Sequence, residues 1–420
     1  LEDLKEIVQF AYDHAPYYKR SFDAAGVKPS DIKTLKDIQK FPFVDKKTQR
    51  DTQGVGSFLG ELAAVPEEDV VFVSTSSGST GVPTMSPFTK KDFDEFQDTE
   101  SRWFWQIGMR PSDRYVHALN FSLYVGGPDV IGAQNLGALC IWGGTLPSER
   151  LLFVLKTYQP TIIWTSPSYA WQLGEKALKS GIDPRKDLNI KKIIVAGELG
   201  GSIDATRKAI EDLWGAEVYD FYGLSDIFGA CAAMCEAKNG LHIAENHILV
   251  ETVDIHTGEV LEPGQVGELV FTTLRKHARP LIRFRTGDIG WIDNTPCSCG
   301  RTHGRIHISG RKDDMFIVSA VNVFPSDIEA VIRELSGITG EYLIRVFEKD
   351  FTCKYSVEIE KRSDNPATDE AVAAEVSAAL KARIGVKPYN VVVHPDGGLN
   401  TRSEHKSKRI IDERKLEYNI

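Results

Sequence analysis

Short apolar runs alternate with helix-like segments between residues 70 and 220, and this alternation constrains the fold more than any other feature of the chain. Two of the helix-like segments are Pro147–Tyr158 and Ile203–Leu213. The strand-like runs are Val70–Ser74, Tyr115–Leu119, Ala138–Trp142, Thr161–Trp164, Lys192–Val195 and Ala216–Asp220. Because short buried strands that alternate with helices pack in layers, the pattern predicts an α/β domain.

The pattern changes between about residues 245 and 310. His247–Val253 and Gly267–Thr273 are rich in strand-forming residues, and turn residues at Gly258 and Gly264 separate them. Neighbouring strands joined by such short turns run antiparallel. This stretch is therefore predicted to be a small antiparallel β-subdomain.

A third unit follows Gly310. The strand-like run Phe316–Val318 precedes two predicted helices, one from Pro325 to about Leu335 and one over Asp369–Ile384. A chain of 420 residues is also too long for one typical core. We expect an α/β protein with a large N-terminal domain, residues 1–312, of layered α/β sheets plus the β-subdomain, and a small α+β C-terminal domain, residues 313–420.

Charge and composition exclude several classes of protein. The net charge of −9 argues against a nucleic-acid-binding protein, which normally carries a basic excess. We find no apolar run long enough to span a membrane and no secretory signal. The chain begins with Leu1 in place of Met, so the sequence does not exclude further residues or a targeting signal before it. Six cysteines are too few for a disulfide scaffold. The composition therefore predicts a cytoplasmic protein without membrane or nucleic-acid partners.

The segment Ser74–Thr84 is a candidate phosphate-binding loop. It follows the strand-like run Val70–Ser74, and it combines Ser and Thr hydroxyls with two glycines, Gly78 and Gly81. Glycines let the backbone bend around an anion, while hydroxyls and backbone N–H groups donate to phosphate oxygens. It is not a P-loop, because no Gly-Lys-Ser/Thr ends it. Taken alone, a segment of this composition is more often a solvated surface loop.

Four further segments carry side chains suited to a nucleotide. A carboxylate after a turn can hold ribose hydroxyls, an aromatic ring can stack on adenine, and a lysine can neutralise a phosphate. Each segment by itself also fits a turn cap or a solvated charge run. The segments are Asp220–Asp226, Arg283–Asp288, Gly310–Val318 continuing into Asn322–Ser326, and Arg402–Arg409.

In this order and spacing, the segments resemble the adenylate-forming superfamily of acyl- and aryl-CoA synthetases, and most closely its phenylacetate–CoA ligase family. The closer resemblance covers essentially the whole chain. It implies an AMP-forming ligase that activates an aromatic carboxylic acid with ATP and Mg²⁺ and passes the acyl group to coenzyme A. The residues that carry it include Ala11–Lys19, Phe41–Phe43, Ser166–Tyr169, Gly240–Ile243 and Asn322–Pro325.

The resemblance also implies roles for single residues of the nucleotide site. Tyr222 matches the residue that stacks beside adenine, and Ser225 lies by the α-phosphate. Asp288 matches the ribose-binding aspartate. Asp226 replaces the commoner glutamate at the position associated with Mg²⁺, and it is one methylene shorter. The other nucleotide-binding candidates are Ser76, Ser77, Gly78, Ser79, Thr80 and Gly81 at the β- and γ-phosphates, then Glu198, Asp220, Phe221, Gly223, Arg305 and Arg311.

The resemblance also implies a hinge residue and a catalytic lysine in the C-terminal part of the chain. Asp313 falls at the family's hinge, which makes the C-terminal domain mobile between an adenylating and a thioester-forming arrangement. Lys406 matches the catalytic lysine, because Arg402–Lys406 follows the family's Arg-Ser-Glu-Gly-Lys pattern with His in place of Gly. Lys408 is the rival candidate for that role. A structural surface lysine is the plain alternative.

The acyl substrate and the final acceptor are less constrained. Phe121, Tyr124, Trp164 and Tyr169 are candidate walls of an aromatic acyl pocket, although aromatics near short strands are as often plain core. One alternative function is a free-standing adenylation enzyme that loads a carrier protein or makes an adenylylated product. Another is a nucleotide-binding regulator without turnover. The oligomeric state is also open, with a homodimer as one candidate.

A separate cluster of cysteines suggests a metal site. Cys297 and Cys299 form a Cys-x-Cys turn, which presents two thiolates to one ion more readily than it forms a disulfide. With Cys235 and His242 they make a Cys₃His set suited to structural Zn²⁺. Cys231 and His303 are alternative ligands, and four unrelated reduced residues are the alternative to any site.

Overall fold

The computed structural model of this chain describes most of its length. It covers residues 1–75, 83–119, 125–318, 321–349, 352–399 and 409–415, with the backbone alone at 322 and 415. Eleven α-helices lie in these ranges. They are α1 Glu2–His14, α2 Pro16–Ala25, α3 Lys46–Thr52, α4 Lys90–Gln106, α5 Val130–Leu136, α6 Ser148–Tyr158, α7 Pro167–Lys179, α8 Pro184–Asp187, α9 Asp204–Trp214, α10 Pro325–Glu334 and α11 Asp369–Ile384.

The same ranges contain nineteen strands. They are β1 Val70–Thr75, β2 Met85–Thr89, β3 Arg114–His117, β4 Leu139–Trp142, β5 Ile162–Thr165, β6 Lys192–Val195, β7 Glu217–Leu224, β8 Phe228–Met234, β9 Leu241–Ile243, β10 Ile248–Val253, β11 Gly267–Thr273, β12 Phe284–Asp293, β13 Arg305–Arg311, β14 Phe316–Val318, β15 Val321–Val323, β16 Ile338–Lys349, β17 Thr352–Lys361, β18 Asn390–His394 and β19 Ile410–Asp412.

Eleven of these strands form one large sheet, in the order β10-β11-β12-β13-β9-β8-β7-β6-β5-β3-β4. The strands β3 to β7 pair in parallel, as expected for strands joined by helices. Strand β7 changes the direction of pairing. Its first half pairs in parallel with β6 up to Asp220, and its second half pairs antiparallel with β8 from Phe221. The predicted nucleotide segment therefore begins at the junction of the two halves of the sheet.

The parallel part of the sheet is buried on both faces, since side chains alternate between faces along each strand. Ile162, Trp164 and Phe221 point into one apolar core, which also contains α1, α2 and α4 residues. Ile163 and Val195 point into a second core, which α6, α7 and α9 cover. The layered α/β arrangement predicted from the sequence is confirmed.

The C-terminal part builds separate, smaller sheets. Strands β14 and β15 form a hairpin, and β16 to β19 form a four-stranded sheet in the order β18-β17-β16-β19. Within the described ranges, this part has a core of its own that runs from Phe316 to Ile410 and that α10 and α11 cover. Helix α11 begins after Thr368, whose hydroxyl accepts a hydrogen bond from the Ala371 N–H, and ends at Gly385 with φ of 91°.

Two details differ from the sequence-based expectation. The helical spacing of apolar residues from Leu1 to Ala11 predicts one amphipathic helix over residues 1–20. That helix is broken, because Pro16 begins α2 and the chain at Ala15 is extended. The predicted β-subdomain is not a separate sheet. Its strands continue the parallel sheet through β7, β8 and β9, so that the antiparallel half begins well before residue 245.

No helix in the part of the chain that the structure describes combines the length and the apolar character needed to cross a bilayer.

Candidate nucleotide site and metal cluster

Asp288 lies at the centre of a buried polar group on the antiparallel half of the sheet. Strand β12 places it opposite Arg311 of β13, and the Arg311 Nη1 donates to its Oδ1 at 2.9 Å. The Tyr222 hydroxyl, which comes from β7, donates to its Oδ2 at 2.5 Å. Three strands thus bring together three residues that the sequence assigned to the nucleotide. A carboxylate held in this way is a suitable acceptor for ribose hydroxyls.

Burial governs the ionisation of this group. It raises the pKa of Asp288, and the charge of Arg311 acts in the opposite direction. Burial and the neighbouring Asp288 raise the pKa of Tyr222 well above its ordinary value. Tyr222 therefore keeps its proton at neutral pH and acts as the hydrogen-bond donor to Asp288.

Asp226, the predicted Mg²⁺ residue, is enclosed by basic side chains. Its Oδ2 accepts a hydrogen bond from the Lys46 Nζ at 2.5 Å, and its Oδ1 lies 3.7 Å from the Arg279 Nη2. The Thr84 hydroxyl also donates to Oδ1 at 3.3 Å. Burial by itself raises the pKa of Asp226, but Lys46 and Arg279 more than reverse this, so the pKa lies below its ordinary value.

The strands on either side of the predicted phosphate loop are tied to the same segment. Strands β1 and β2 pair as far as Thr75 and Met85, which flank the loop. The Ser74 hydroxyl donates to the Ser225 carbonyl at 2.9 Å, and the Ser86 hydroxyl donates to the Asp226 carbonyl at 3.1 Å. The loop residues Ser76, Ser77, Gly78, Ser79, Thr80 and Gly81 lie outside the described residues.

The rest of the predicted segment on β7 is tightly packed. Phe221 is buried, with its ring centroid 5.2 Å from that of Trp164. Gly223 has no room for a side chain, because a Cβ there would lie 1.7 Å from the Gly229 carbonyl oxygen. Asp220 accepts a hydrogen bond from the Ser202 hydroxyl at 2.5 Å, and burial raises its pKa to about 7.

Glu198 lies where the N-terminal and C-terminal parts meet. Its Oε2 accepts a hydrogen bond from the Ser168 N–H at 3.3 Å. It lines a cavity of about 130 Å³ that also contacts Glu329, Arg333 and Arg409 of the C-terminal part. The Thr206 hydroxyl of α9 donates to Glu329 of α10 at 3.1 Å beside it. The nucleotide position predicted at Glu198 therefore borders the contact between the two parts.

The structure does not bring Arg305 to the nucleotide group. Strand β13 holds it opposite Asp293, whereas Arg311 on the same strand lies opposite Asp288. Six residues of extended strand separate the two arginines, which is about 20 Å. The Arg305 Nη2 donates to Asp293 at 2.7 Å and to the Thr295 hydroxyl at 2.8 Å. Its position indicates that Arg305 supports the turn before Cys297, in contrast to the predicted nucleotide contact.

The two described acyl-pocket candidates lie on opposite faces of the sheet. Trp164 packs into the first core, between Phe104 and Phe221. Tyr169 packs against the second core, and its hydroxyl lies 3.0 Å from the Ser148 hydroxyl. In this structure they therefore do not form a common wall. Phe121 and Tyr124 lie outside the described residues.

The predicted hinge directly follows the nucleotide group. Asp313 comes two residues after the end of β13, and its Oδ2 lies 3.2 Å from the Arg311 Nη2. The Lys312 N–H donates to the Gly287 carbonyl at 2.7 Å, which anchors the turn to β12. Lys406 and Lys408 lie outside the described residues.

Cys235, His242, Cys297 and Cys299 form one compact cluster, with one possible ligand atom from each lying within 4.8 Å of the others. The Cys235 and Cys297 sulfurs are 3.7 Å apart, and the Cys299 sulfur is 3.3 Å from the His242 Nε2. Two sulfurs bound tetrahedrally at 2.3 Å to one Zn²⁺ would be about 3.8 Å apart. The cluster therefore has the dimensions of a tetrahedral metal site.

The two alternative ligands, Cys231 and His303, do not belong to the cluster of possible ligand atoms. The Cys231 sulfur is directed at the Tyr222 carbonyl, 3.4 Å away. His303 contributes its backbone carbonyl, which lies 3.0 Å from the His242 Nδ1. A carbonyl acceptor on Nδ1 leaves Nε2 as the ligand atom, which is the usual support for a metal-binding histidine.

Sequence reasoning missed the basic side chains around Asp226. Lys46 and Arg279 are described above, and the Lys276 Nζ donates to the Asp226 carbonyl at 3.0 Å. Lys46 lies 180 residues from Asp226 in the chain. Its only sequence signal was its place just after the family-like Phe41–Phe43, and Lys276 and Arg279 belong to an unremarkable basic run.

Comparison with known proteins shows the family of this chain. The family model described as "AMP-binding enzyme" matches residues 10–274, and that described as "AMP-binding enzyme C-terminal domain" matches residues 320–414. A phenylacetate-coenzyme A ligase of Thermus thermophilus is 34% identical over 99% of this chain and 96% of its own length. This chain belongs to the phenylacetate–CoA ligase family of AMP-binding enzymes. The family expected from the sequence is confirmed.

Solved structures similar to this family member differ in their domain arrangement. A 2-hydroxyisobutyryl-CoA ligase in the postadenylation state, in complex with 2-HIB-AMP, has a TM-score of 0.92 at 30% identity, over 99% of this chain and 89% of its own. The same ligase in complex with 2-HIB-AMP and CoA in the thioesterification state has a TM-score of 0.72 at 30% identity, over 99% and 90%. This chain is therefore more similar to the postadenylation arrangement.

Proposed function

We propose that this protein is an AMP-forming ligase that activates an aromatic carboxylic acid with ATP and transfers the acyl group to coenzyme A. The observation that carries the proposal is the buried group of Asp288, Tyr222 and Arg311 in a chain of this family. The named activity of the relatives supports the aromatic acid and coenzyme A as substrates.

The reaction has two steps. The carboxylate of the acid attacks the α-phosphorus of ATP, and pyrophosphate leaves with the electron pair of the broken P–O bond. The sulfur of coenzyme A then attacks the acyl carbonyl, and AMP leaves. Asp288 would hold the ribose and Tyr222 the adenine through both steps, while Lys406 would stabilise the charge on the α-phosphate in the first. Mg²⁺, which enters with ATP, would neutralise phosphate charge, and Asp226 offers it carboxylate oxygens.

We further propose that residues 313–420 move as a domain against residues 1–312. The greater similarity to the postadenylation arrangement supports an adenylating pose in this structure. In this pose Glu329 and Arg409 close the cavity beside Glu198. They would have to withdraw before coenzyme A could approach the adenylate.

The test is carboxylate-dependent ATP–pyrophosphate exchange with a panel of acids. We expect phenylacetate, benzoates or indoleacetate to support exchange, with AMP as the nucleotide product. 2-Hydroxyisobutyrate belongs in the panel because the similar solved ligase carries that acyl group. Formation of ADP and phosphate would contradict the proposal. Exchange without release of a coenzyme A-dependent acyl product would point to an enzyme that loads a carrier protein. Binding of ATP without exchange would point to a regulator.

We also propose that Cys235, His242, Cys297 and Cys299 hold a structural Zn²⁺. The tetrahedral spacing and the carbonyl behind His242 support this ion. The four ligands connect β8 and β9 with the turn at residues 297–299, so the ion would fasten that turn to the sheet. The site lies at the Asp293 end of β12 and β13, away from Asp288, which supports a structural role.

Protein purified without chelator is expected to contain about one zinc per chain, the stoichiometry of a closed four-ligand site. Cys297→Ser is expected to lower Tm by about 4 °C or more, because loss of a structural metal costs about 2 kcal/mol or more. Turnover per folded molecule should change much less. Elemental analysis measures the zinc content, and thermal unfolding measures the Tm.

Cys140→Ser is the matched control, because Cys140 is half-buried and lies on β4, outside the cluster. It should keep the zinc and most of the stability. Zinc-free protein, or equal destabilisation by the two variants, would contradict the site.

A cytoplasmic location is also part of the proposal. The six cysteines form no disulfide, and the four proposed zinc ligands would have to remain reduced. A homodimer stays a prediction that a mass measurement in solution would check.

A further inference from the structure

The Asp226 carboxylate is surrounded by basic side chains that carry more positive charge than this one carboxylate can neutralise. Lys46, Lys276 and Arg279 all contact Asp226 through its side chain or its carbonyl. Lys276 and Arg279 are buried. The Arg279 Nε and Nη2 are buried and make no hydrogen bond within the described ranges. Since buried charged donors are normally paired, this group has capacity for a further anion.

One other carboxylate lies nearby, and its oxygens are already engaged. Asp92 accepts hydrogen bonds from the N–H groups of Thr89, His277 and Ala278 at 2.7 to 3.0 Å. Beside these two carboxylates lie Lys46, Arg279 and Lys276, and burial together with the neighbouring Arg279 lowers the pKa of Lys276 well below its ordinary value. All three basic side chains also contact the chain at the start of β2, where Lys46 donates to Thr84, Arg279 to the Met85 carbonyl and Lys276 to Ser86.

Of these three basic side chains, Lys46 is the most exposed and has the most room to move. Its side chain is 31% exposed, whereas the side chain of Arg279 is 3% exposed. Its Nζ also lies 3.1 Å from the Thr84 hydroxyl, two residues beyond the end of the loop segment. A lysine carries its charge on a flexible four-carbon stem, so the ammonium can change partners without moving the backbone.

We propose that Lys46 is a transferable counter-ion. In the free protein its ammonium neutralises Asp226. When ATP binds, the ammonium moves to an oxygen of the β- or γ-phosphate, and the freed Asp226 carboxylate becomes a ligand for the Mg²⁺ that accompanies ATP. Lys276 stays in place and holds the Asp226 carbonyl and Ser86, and Arg279 stays in place and holds the Met85 carbonyl. This inference rests on the proposed function, because it assigns a residue to the pyrophosphate half of the same nucleotide site.

The exchange explains why a metal ligand lies among cations before the metal is present. An unpaired buried carboxylate would be costly, and Lys46 removes that cost until the substrate arrives. The triphosphate then brings several negative charges, which satisfy Lys46 and Arg279 through charge-assisted hydrogen bonds.

The test compares Lys46→Met with Lys47→Met by calorimetric binding of MgATP, pyrophosphate and AMP. Lys47 is the adjacent residue on α3, exposed and paired with Asp51. Lys46→Met should weaken binding of MgATP and pyrophosphate by about 10- to 100-fold, the usual effect of losing a charge-assisted hydrogen bond. AMP has neither a β- nor a γ-phosphate, so its affinity should change by less than about twofold. Lys47→Met should leave all three affinities unchanged.

The outcomes separate this inference from the proposed function. If Lys46→Met weakened all three ligands equally, Lys46 would only support the fold of the site, and the inference would be wrong. Equal affinities of Lys46→Met and Lys47→Met for the three ligands would also overturn the inference. In either case, ATP–pyrophosphate exchange by the unmodified protein would leave the proposed function intact. If the unmodified protein neither bound MgATP nor catalysed exchange, the proposed function would fail and the inference with it.

Discussion

Lys406→Ala is expected to slow formation of the acyl-adenylate by about 100-fold or more, the usual loss when one contact to a developing negative charge is removed. Charge builds up on the α-phosphate and the departing pyrophosphate only in the first step. A lysine that contacts these atoms therefore stabilises the transition state more than the bound substrate. Conversion of supplied acyl-adenylate to the thioester should change little, because that step starts after the charge has been dispersed.

The two half-reactions are measured separately, by pyrophosphate exchange and by thioester formation from synthetic acyl-adenylate. Lys408→Ala is the comparison that decides between the two candidate lysines. Lys381→Ala, at an exposed position on α11, controls for a general effect of removing a C-terminal lysine. If Lys408→Ala lost the first step and Lys406→Ala did not, the catalytic role would pass to Lys408. Equal loss of both steps in Lys406→Ala would indicate a structural lysine.

Asp313→Pro is expected to have the opposite effect, with adenylation retained and thioester formation slowed by about tenfold or more, because 1.4 kcal/mol of backbone strain in the second arrangement is sufficient. Proline restricts φ at its own position and the conformation of the residue before it. Residue 313 directly follows the turn that Lys312 anchors to Gly287. A rigid residue there would oppose rotation of everything after β13.

Asp313→Ala is the matched control for this variant. It removes the ion pair with Arg311 but leaves the backbone free to rotate. If the backbone is the hinge, Asp313→Ala should keep both half-reactions within a few-fold of the unmodified protein. Were the alanine and proline variants to lose thioester formation equally, the ion pair would be the cause and the hinge assignment would be wrong.

Local elements followed from the sequence because their signals are local. The predicted helix over Asp369–Ile384 has the bounds observed for α11, where a threonine cap begins the helix and a glycine ends it. The predicted strand Val70–Ser74 forms all but the last residue of β1. Periodicity and capping depend on residues a few positions apart, so they can be read along the chain.

Long-range partners could be read only in part. The sequence grouped Asp288 with Tyr222 and Arg311 through motif order alone, and the structure places them in contact. Motif order did not show that Arg305 and Arg311 lie at distant points of one strand. It also did not show that Trp164 and Tyr169 belong to opposite faces. Strand register decides the positions of the two arginines, and the alternation of faces decides that of Trp164 on β5. The packing of α7 against the other face of the sheet decides that of Tyr169.

The sequence by itself determined the family, the α/β class, the order of the nucleotide segments and the four residues of the Cys₃His cluster. The tertiary structure decided which cations surround Asp226 and which alternative ligands stay outside the cluster. The reason is physical. Lys46 and Asp226 meet across 180 residues because α3 packs beside the β1–β2 pair and the end of β7. Such a contact depends on the packing of distant elements, and no spacing within the sequence encodes it.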